Sequence, residues 1–169
     1  MKSNIILIGF MGVGKGSLAR AIVKKTGMFA IDTDDLIESL ENRKIKNIFA
    51  QDGEAYFRDL EQKSAKWLNE SVDNTIISVG GGFYKVDNLK NIGKIIYLHS
   101  SFEAILNKIV NAPNAKKKLK KRPLFKTPEQ AKKLYNSRID SYKSIADKTI
   151  IVENKSTEQI LKEVLKFIE

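Results

Sequence analysis

The chain has 169 residues, 42% of them apolar and 30% charged, with 30 basic against 20 acidic side chains, one histidine and no cysteine. That is the length of one domain with a proper core, and it excludes disulfides, thiolate catalysis and Cys-ligated zinc. No apolar run approaches the roughly 20 residues needed to cross a bilayer, and Met1-Lys2-Ser3-Asn4 ahead of four apolar residues is too short for a signal peptide, so a reducing cytoplasm is the expected setting.

The first apolar run, Ile5 to Ile8, reads as a strand and leads into Gly9-Phe10-Met11-Gly12-Val13-Gly14-Lys15-Gly16-Ser17, with helix-like sequence behind it. Strand, glycine-rich loop and helix in that order form a phosphate-binding loop. Its backbone N–H groups point into one concavity, and Lys15 adds a full positive charge at a helix N-terminus. Gly12, Val13, Gly14, Lys15, Gly16 and Ser17 are the expected nucleotide-binding residues. The pattern GxxxxGK[ST] lacks only its last member, because Gly16 stands where a Ser or Thr hydroxyl would hold Mg²⁺ and the hydroxyl comes one residue later, at Ser17.

Further β-branched runs recur at 29–31, 75–79, 94–98 and 149–152, each separated by helix-like sequence. Continuous apolar runs mark strands buried on both faces, and the alternation predicts a three-layer α/β sandwich around a five-stranded parallel sheet. Residues 33–73 form a helical insertion longer than a crossover needs, read as a substrate-holding subdomain. Helix starts are expected at Thr127-Pro128, with a capping hydroxyl, and at Ser156 with Gln159, a capping box. A single domain over 1–169 is expected.

In open α/β sheets ligands bind beyond the carboxyl ends of the strands, and this chain is polar there. After the second strand come Asp32, Thr33, Asp34 and Asp35, and after the third Gly80, Gly81 and Gly82. Phosphoryl transfer offers two tasks for Asp32 and Asp34: holding Mg²⁺, directly or through water, and accepting the proton of the attacking hydroxyl. Asp35 is expected to cap the helix that follows. The triple glycine allows close approach of backbone to a ligand and offers N–H donors. His99, at the end of a strand, is expected to be structural.

Net charge is +10 but uneven: residues 111–126 hold seven basic side chains and no acid, which supplies seven of the ten charges. A local electropositive loop is the reading, rather than a nucleic-acid face. Arginine is scarce, at Arg20, Arg43, Arg58, Arg122 and Arg138. Arg20 and Arg43 have no motif around them and are expected at the surface.

Taken together, the GFMGxGK loop, Asp32-Thr33-Asp34, Gly53-Glu54-Ala55-Tyr56-Phe57-Arg58, Gly80-Gly81-Gly82, Lys121-Arg122-Pro123-Leu124 and Arg138 near Tyr142 resemble the shikimate kinase family, in order and spacing across essentially the whole chain. The resemblance implies a P-loop, nucleoside-monophosphate-kinase-like fold and transfer of the γ-phosphoryl of ATP to the 3-hydroxyl of shikimate. It implies Asp34 as the base, with Asp32 left for the metal. Arg58 and Arg138 would grip the acceptor carboxylate, Gly80 and Gly81 would meet the acceptor through backbone, and Phe49 and Phe57 would wall its ring. Lys15 and Arg122 would face the phosphates, with 111–126 as a mobile lid. ATP and Mg²⁺ are the implied cofactors, shikimate the partner, and the state a monomer without nucleic acid or membrane. Another small-molecule kinase of this fold, such as a gluconate kinase, and a nucleotide-binding homologue weakened at Gly16 stand as alternatives.

Overall fold

The computed structural model describes residues 3–121 and 123–168, with backbone alone at 118, 121, 123 and 124. Five strands, β1 (Ile5–Ile8), β2 (Phe29–Asp32), β3 (Thr75–Ser78), β4 (Lys94–His99) and β5 (Lys148–Ile151), pair in parallel in the order β2-β3-β1-β4-β5. The expected sandwich is what forms. Every residue of β1 and β3 is buried, as continuous apolar runs require. The outer strands differ: Phe29 on β2 is 83% exposed and Ile151 on β5 is 55% exposed, since each has a neighbour on one side only.

Helices complete the layers: α1 (Lys15–Thr26), α2 (Thr33–Glu41), α3 (Ile45–Ser71), α4 (Leu89–Ile92), α5 (Phe102–Val110), α6 (Ala115–Lys121), α7 (Pro128–Ile145) and α8 (Thr157–Ile168). The insertion is α2 with α3. The second of these is interrupted at Gly53, whose φ of 82° and ψ of 178° lie outside the helical region. A small apolar cluster of Ile37, Ile48, Phe57 and Leu60 holds the insertion together, apart from the main core.

Two capping expectations divide. Ser156 and Gln159 exchange bonds in both directions, 2.8 Å from the Ser156 N–H to Gln159 Oε1 and 3.2 Å from the Gln159 N–H to Ser156 Oγ, a complete capping box. Thr127 makes no side-chain cap bond. Its ψ of 82° departs from the extended geometry from which a capping side chain reaches the N2 and N3 amides.

Below the sheet, a fully buried Asn4 ties the starts of three strands. Its Nδ2 donates to Val72 O and Ile92 O, both at 2.9 Å, and its Oδ1 accepts the Thr75 N–H at 3.0 Å. Strand register at the far end of the sheet is thus fixed, which sets where the strand tips stop. At those tips Phe10, Phe102, Phe125 and Tyr135 meet edge to face, tilted or stacked, with centroids 5.3–6.5 Å apart. Phe125 lies in the 3₁₀ turn Pro123–Lys126 and is buried, so the end of the basic segment is anchored in this aromatic cluster.

Candidate active site

At the carboxyl end of β1 the chain turns through Gly9 to Gly14 and enters α1. Gly12 and Gly14 have φ of 87° and 115°, conformations that residues with a Cβ rarely adopt. The first intrahelical bond runs from the Leu18 N–H to Gly14 O at 3.0 Å, so the N–H groups of Lys15, Gly16 and Ser17 emerge from the helix start. Neither a side-chain cap nor an acidic residue occupies that first turn. The helix dipole and these donors therefore present a positive concavity to an anion. Lys15 arches over the loop, with Nζ donating to Gly9 O at 2.8 Å and Phe10 O at 3.4 Å.

Asp32 closes β2 in extended geometry and caps α2. Its Oδ1 accepts the N–H groups of Asp34 at 3.0 Å and Asp35 at 3.3 Å, and its Oδ2 accepts the Ser78 hydroxyl at 2.9 Å. Here the sequence reading is corrected: the cap is Asp32, not Asp35. Only the last extended residue has a side chain that reaches forward to the N2 and N3 amides. Asp34 stands in the first turn of α2. Burial above all, and then the Asp32 charge, pushes its carboxyl up to about 7, while the Lys15 ammonium pulls the other way. That opposing pull ties Asp34 and the phosphate loop electrostatically into one site.

Arg58 stands on α3 past the break at Gly53, with carboxylates on the same helix face at i−4 and i+3. Its Nε and Nη2 donate to Glu54 Oε1 at 3.1 and 2.9 Å, and Nη1 donates to Glu61 Oε2 at 2.6 Å. Glu61 is 1% exposed, and its Oε1 has no hydrogen-bond partner among the described residues. Burial raises the Glu61 carboxyl, against the pull of Arg58 and Arg138. The sequence reading passed over Glu61 as an orienter of Arg58, although its i+3 spacing was visible.

Arg138, on α7, is buried, and Tyr142 one turn on donates to Gly81 O at 2.6 Å. Between these groups run Gly80, Gly81 and Gly82. None of them has positive φ, so backbone conformation does not demand glycine here. Space does. A Cβ on Gly80 would stand 2.5 Å from Asp34 Oδ1, one on Gly81 2.7 Å from Arg138 Nη1, and one on Gly82 would collide with the Arg58 guanidinium. Each glycine leaves room for one polar side chain, and the three side chains converge from three helices. One expected donor is already engaged, because the Gly80 N–H bonds Thr33 Oγ1 at 3.1 Å.

Phe49 and Phe57 pack together with ring centroids 4.8 Å apart. Phe57 is 4% exposed and belongs mainly to the insertion's core, whereas Phe49 is 37% exposed. Arg122 lies outside the described residues. His99, expected to be structural, has its Nδ1 2.9 Å from the Tyr97 hydroxyl. Arg43 binds Glu41 and Asp52 at 2.7 and 2.6 Å, away from this site.

On the other side of the phosphate loop a cleft of about 440 Å³ opens between the loop, α5 and the segment after β5, lined among others by Gly12, Asn107, Lys108, Asn154 and Lys155. It extends the phosphate concavity away from Asp34. A two-part ligand, phosphate chain in the loop and a larger group in the cleft, fits this shape.

The family model for shikimate kinase matches residues 11–169. A shikimate kinase from Helicobacter hepaticus is 36% identical over 166 residues, covering 98% of this chain and 96% of that protein. Among solved structures, a shikimate kinase from Acinetobacter baumannii in complex with shikimate superposes with a TM-score of 0.83 at 26% identity, over 98% of this chain and 92% of that one. The shikimate kinase of Aquifex aeolicus superposes with a TM-score of 0.78 at 31% identity, over 96% of this chain and 94% of that one. A match that begins inside the phosphate loop and runs through the triple glycine, Arg58, Arg138 and the last helix leaves a gluconate kinase unfavoured: the chain belongs to the shikimate kinase family.

Proposed function

We propose that this chain moves the γ-phosphoryl group of ATP onto the 3-hydroxyl of shikimate. The observation that carries the reading is the convergence of Asp34, Arg58 and Arg138 on Gly80, Gly81 and Gly82 beside the phosphate loop. Two arginines with forked donors suit the planar acceptor carboxylate, Phe49 shields one face of the ring, and Asp34 takes the hydroxyl that reacts.

With a carboxyl poised near neutrality, Asp34 accepts the hydroxyl proton as the acceptor oxygen bonds to Pγ and the bond from Pγ to the β,γ-bridging oxygen breaks. Lys15 leaves the loop carbonyls for the phosphates and offsets the charge spreading over the transferring group. The cleft beside Asn107 and Asn154 receives adenine. In this reading the basic segment 111–126 is a lid that folds over ATP with Arg122 and excludes water, and the chain works as a cytoplasmic monomer that binds neither nucleic acid nor membrane. Among the described residues no helix is long and apolar enough to cross a membrane.

Mg²⁺ finds little to hold it here. Gly16 has no oxygen, Asp32 already accepts three hydrogen bonds, and among the described residues no group of three His, Cys, Asp or Glu converges. One acceptor direction remains on Asp32 Oδ2, which suits a water-bridged contact rather than direct ligation. The residues do not form a seat for a resident metal; Mg²⁺ travels on the phosphates of ATP with its own water, and the chain's dependence on it is weakened.

A coupled assay of ADP release against a panel of hydroxy acids and sugars tests the function. Shikimate is the expected acceptor, and a panel in which gluconate reacts while shikimate does not would overturn the reading.

A further inference from the structure

The peptide between Gly81 and Gly82 is flanked on both sides by a residue without a Cβ, so sterics do little to fix which way its carbonyl faces. The triple glycine that makes room for three side chains is left with a loose backbone. Hydrogen bonds hold it instead. Gly80 O accepts the Phe83 N–H at 3.1 Å and Gly82 O accepts the Lys85 N–H at 3.2 Å, both within the turn that follows. The carbonyl between them is held by a side chain: the Tyr142 hydroxyl donates to Gly81 O at 2.6 Å. Both peptides that meet at Gly81 are thereby fixed, one by the turn and one by Tyr142.

Tyr142 is well placed for this task. It is 1% exposed, and its ring packs against Tyr84 and Tyr97 with both centroids 5.3 Å away. Those contacts already seat α7, and a phenylalanine would keep them. The hydroxyl adds something else. Arg138 lies one turn earlier on α7, and a Cβ on Gly81 would stand 2.7 Å from Arg138 Nη1 and 3.4 Å from the Tyr142 hydroxyl oxygen. Guanidinium and phenol thus approach Gly81 from the same side. A phenol has one proton to give, and here it goes to Gly81 O, so towards Arg138 the oxygen can only accept, which complements a group that can only donate. Burial pushes the phenol up to about 12 while Arg138 pulls the other way, so at neutral pH the hydroxyl keeps the proton that the bond to Gly81 requires.

We propose that Tyr142 is a positioning residue for the acceptor, whose hydroxyl sets the Gly81 backbone and Arg138 at a fixed spacing and orientation. The proposal rests on the reading that shikimate sits over the triple glycine. Buried as it is, Tyr142 acts through its two neighbours rather than on the acceptor. It supplies the rigidity that three consecutive glycines give up.

Steady-state kinetics and thermal unfolding of the full chain carrying Tyr142→Phe test this. KM for shikimate is expected to rise about tenfold, the scale of one lost buried hydrogen bond, with KM for ATP within about twofold and kcat within about threefold of wild type. Replacing Tyr142 with 4-aminophenylalanine returns a donor at the same place and is expected to recover most of the loss. A Tyr142→Phe chain with the wild-type KM for shikimate, or one in which both KM values rise alike, overturns the proposal. So does a Tyr142→Phe chain that fails to fold, which would make the hydroxyl structural, or an amine that restores nothing. A wild type that phosphorylates no shikimate overturns the functional reading itself, whereas wild-type turnover beside an indifferent Tyr142→Phe overturns Tyr142 alone.

Discussion

The two glycine-rich segments of this molecule use glycine for opposite reasons. In the phosphate loop, Gly12 and Gly14 hold left-handed conformations, and Gly9 comes so close to β4 that a Cβ would stand 2.7 Å from the backbone oxygen of Leu98. In the triple glycine, φ is ordinary, and what a Cβ would meet is the tip of a charged side chain, on Asp34, Arg138 or Arg58. Backbone cannot yield, but a side-chain tip can. Substitution in the first segment should therefore be felt as stability, and substitution in the second as lost function in a folded protein.

The sharpest way to separate the two regions starts from Asp34. Asp34→Asn is expected to cut turnover by roughly 10²–10⁴-fold, the range for loss of a general base. It should also stabilise the fold. The native carboxyl is raised from 3.8 to about 7, so between those values the folded chain keeps a proton that the unfolded chain has released. Stability therefore falls as pH rises through that window. The Asn variant should gain melting temperature over wild type at pH 8, and the gain should shrink towards pH 4. A variant that is inactive and also less stable at pH 8 would break the account of Asp34.

Next in size, Gly9→Ala is expected to lose roughly 2–4 kcal/mol, because a strained φ and an unyielding carbonyl act together. Denaturant unfolding reads this directly. A Gly9→Ala chain as stable as wild type would mean that the loop gives way more easily than its neighbours indicate.

The smallest effect is spectroscopic and changes no residue. The Asp34 side-chain carboxyl carbon, followed by NMR, should titrate with a midpoint near 7. A midpoint below 5 would show Asp34 to be solvated and the site more open than described.

Much of the nucleotide side was legible in the sequence. A strand, a glycine pattern and a lysine at fixed spacing specify local geometry, and local geometry is what a phosphate loop is. The acceptor side depends on groups brought together from α2, α3, α7 and the end of β3, and no local rule says that residues 34, 58, 81 and 138 meet. Asp34 and Gly81 could be picked out as residues just after strands, whereas Arg58 and Arg138 could be given a role only because the chain resembles a known family.

Assigning the cap failed for a related reason. Asp32, Asp34 and Asp35 are chemically alike, and which of them caps α2 is decided by where β2 stops. That in turn depends on pairing with β3, a partner more than forty residues away. Glu61 went unnoticed because an acid at i+3 from an arginine is common on exposed helices; its burial makes it distinctive, and burial is a tertiary property.

The central claim is that the triple glycine exists to admit the side chains that hold the acceptor. Measuring KM for shikimate, KM for ATP and melting temperature on Gly82→Ala tests it most directly. We expect kcat/KM for shikimate to fall roughly 10²-fold as Arg58 is pushed aside, with KM for ATP and melting temperature nearly unchanged. A Gly82→Ala chain with normal affinity for shikimate, or one that fails by unfolding, would contradict the claim.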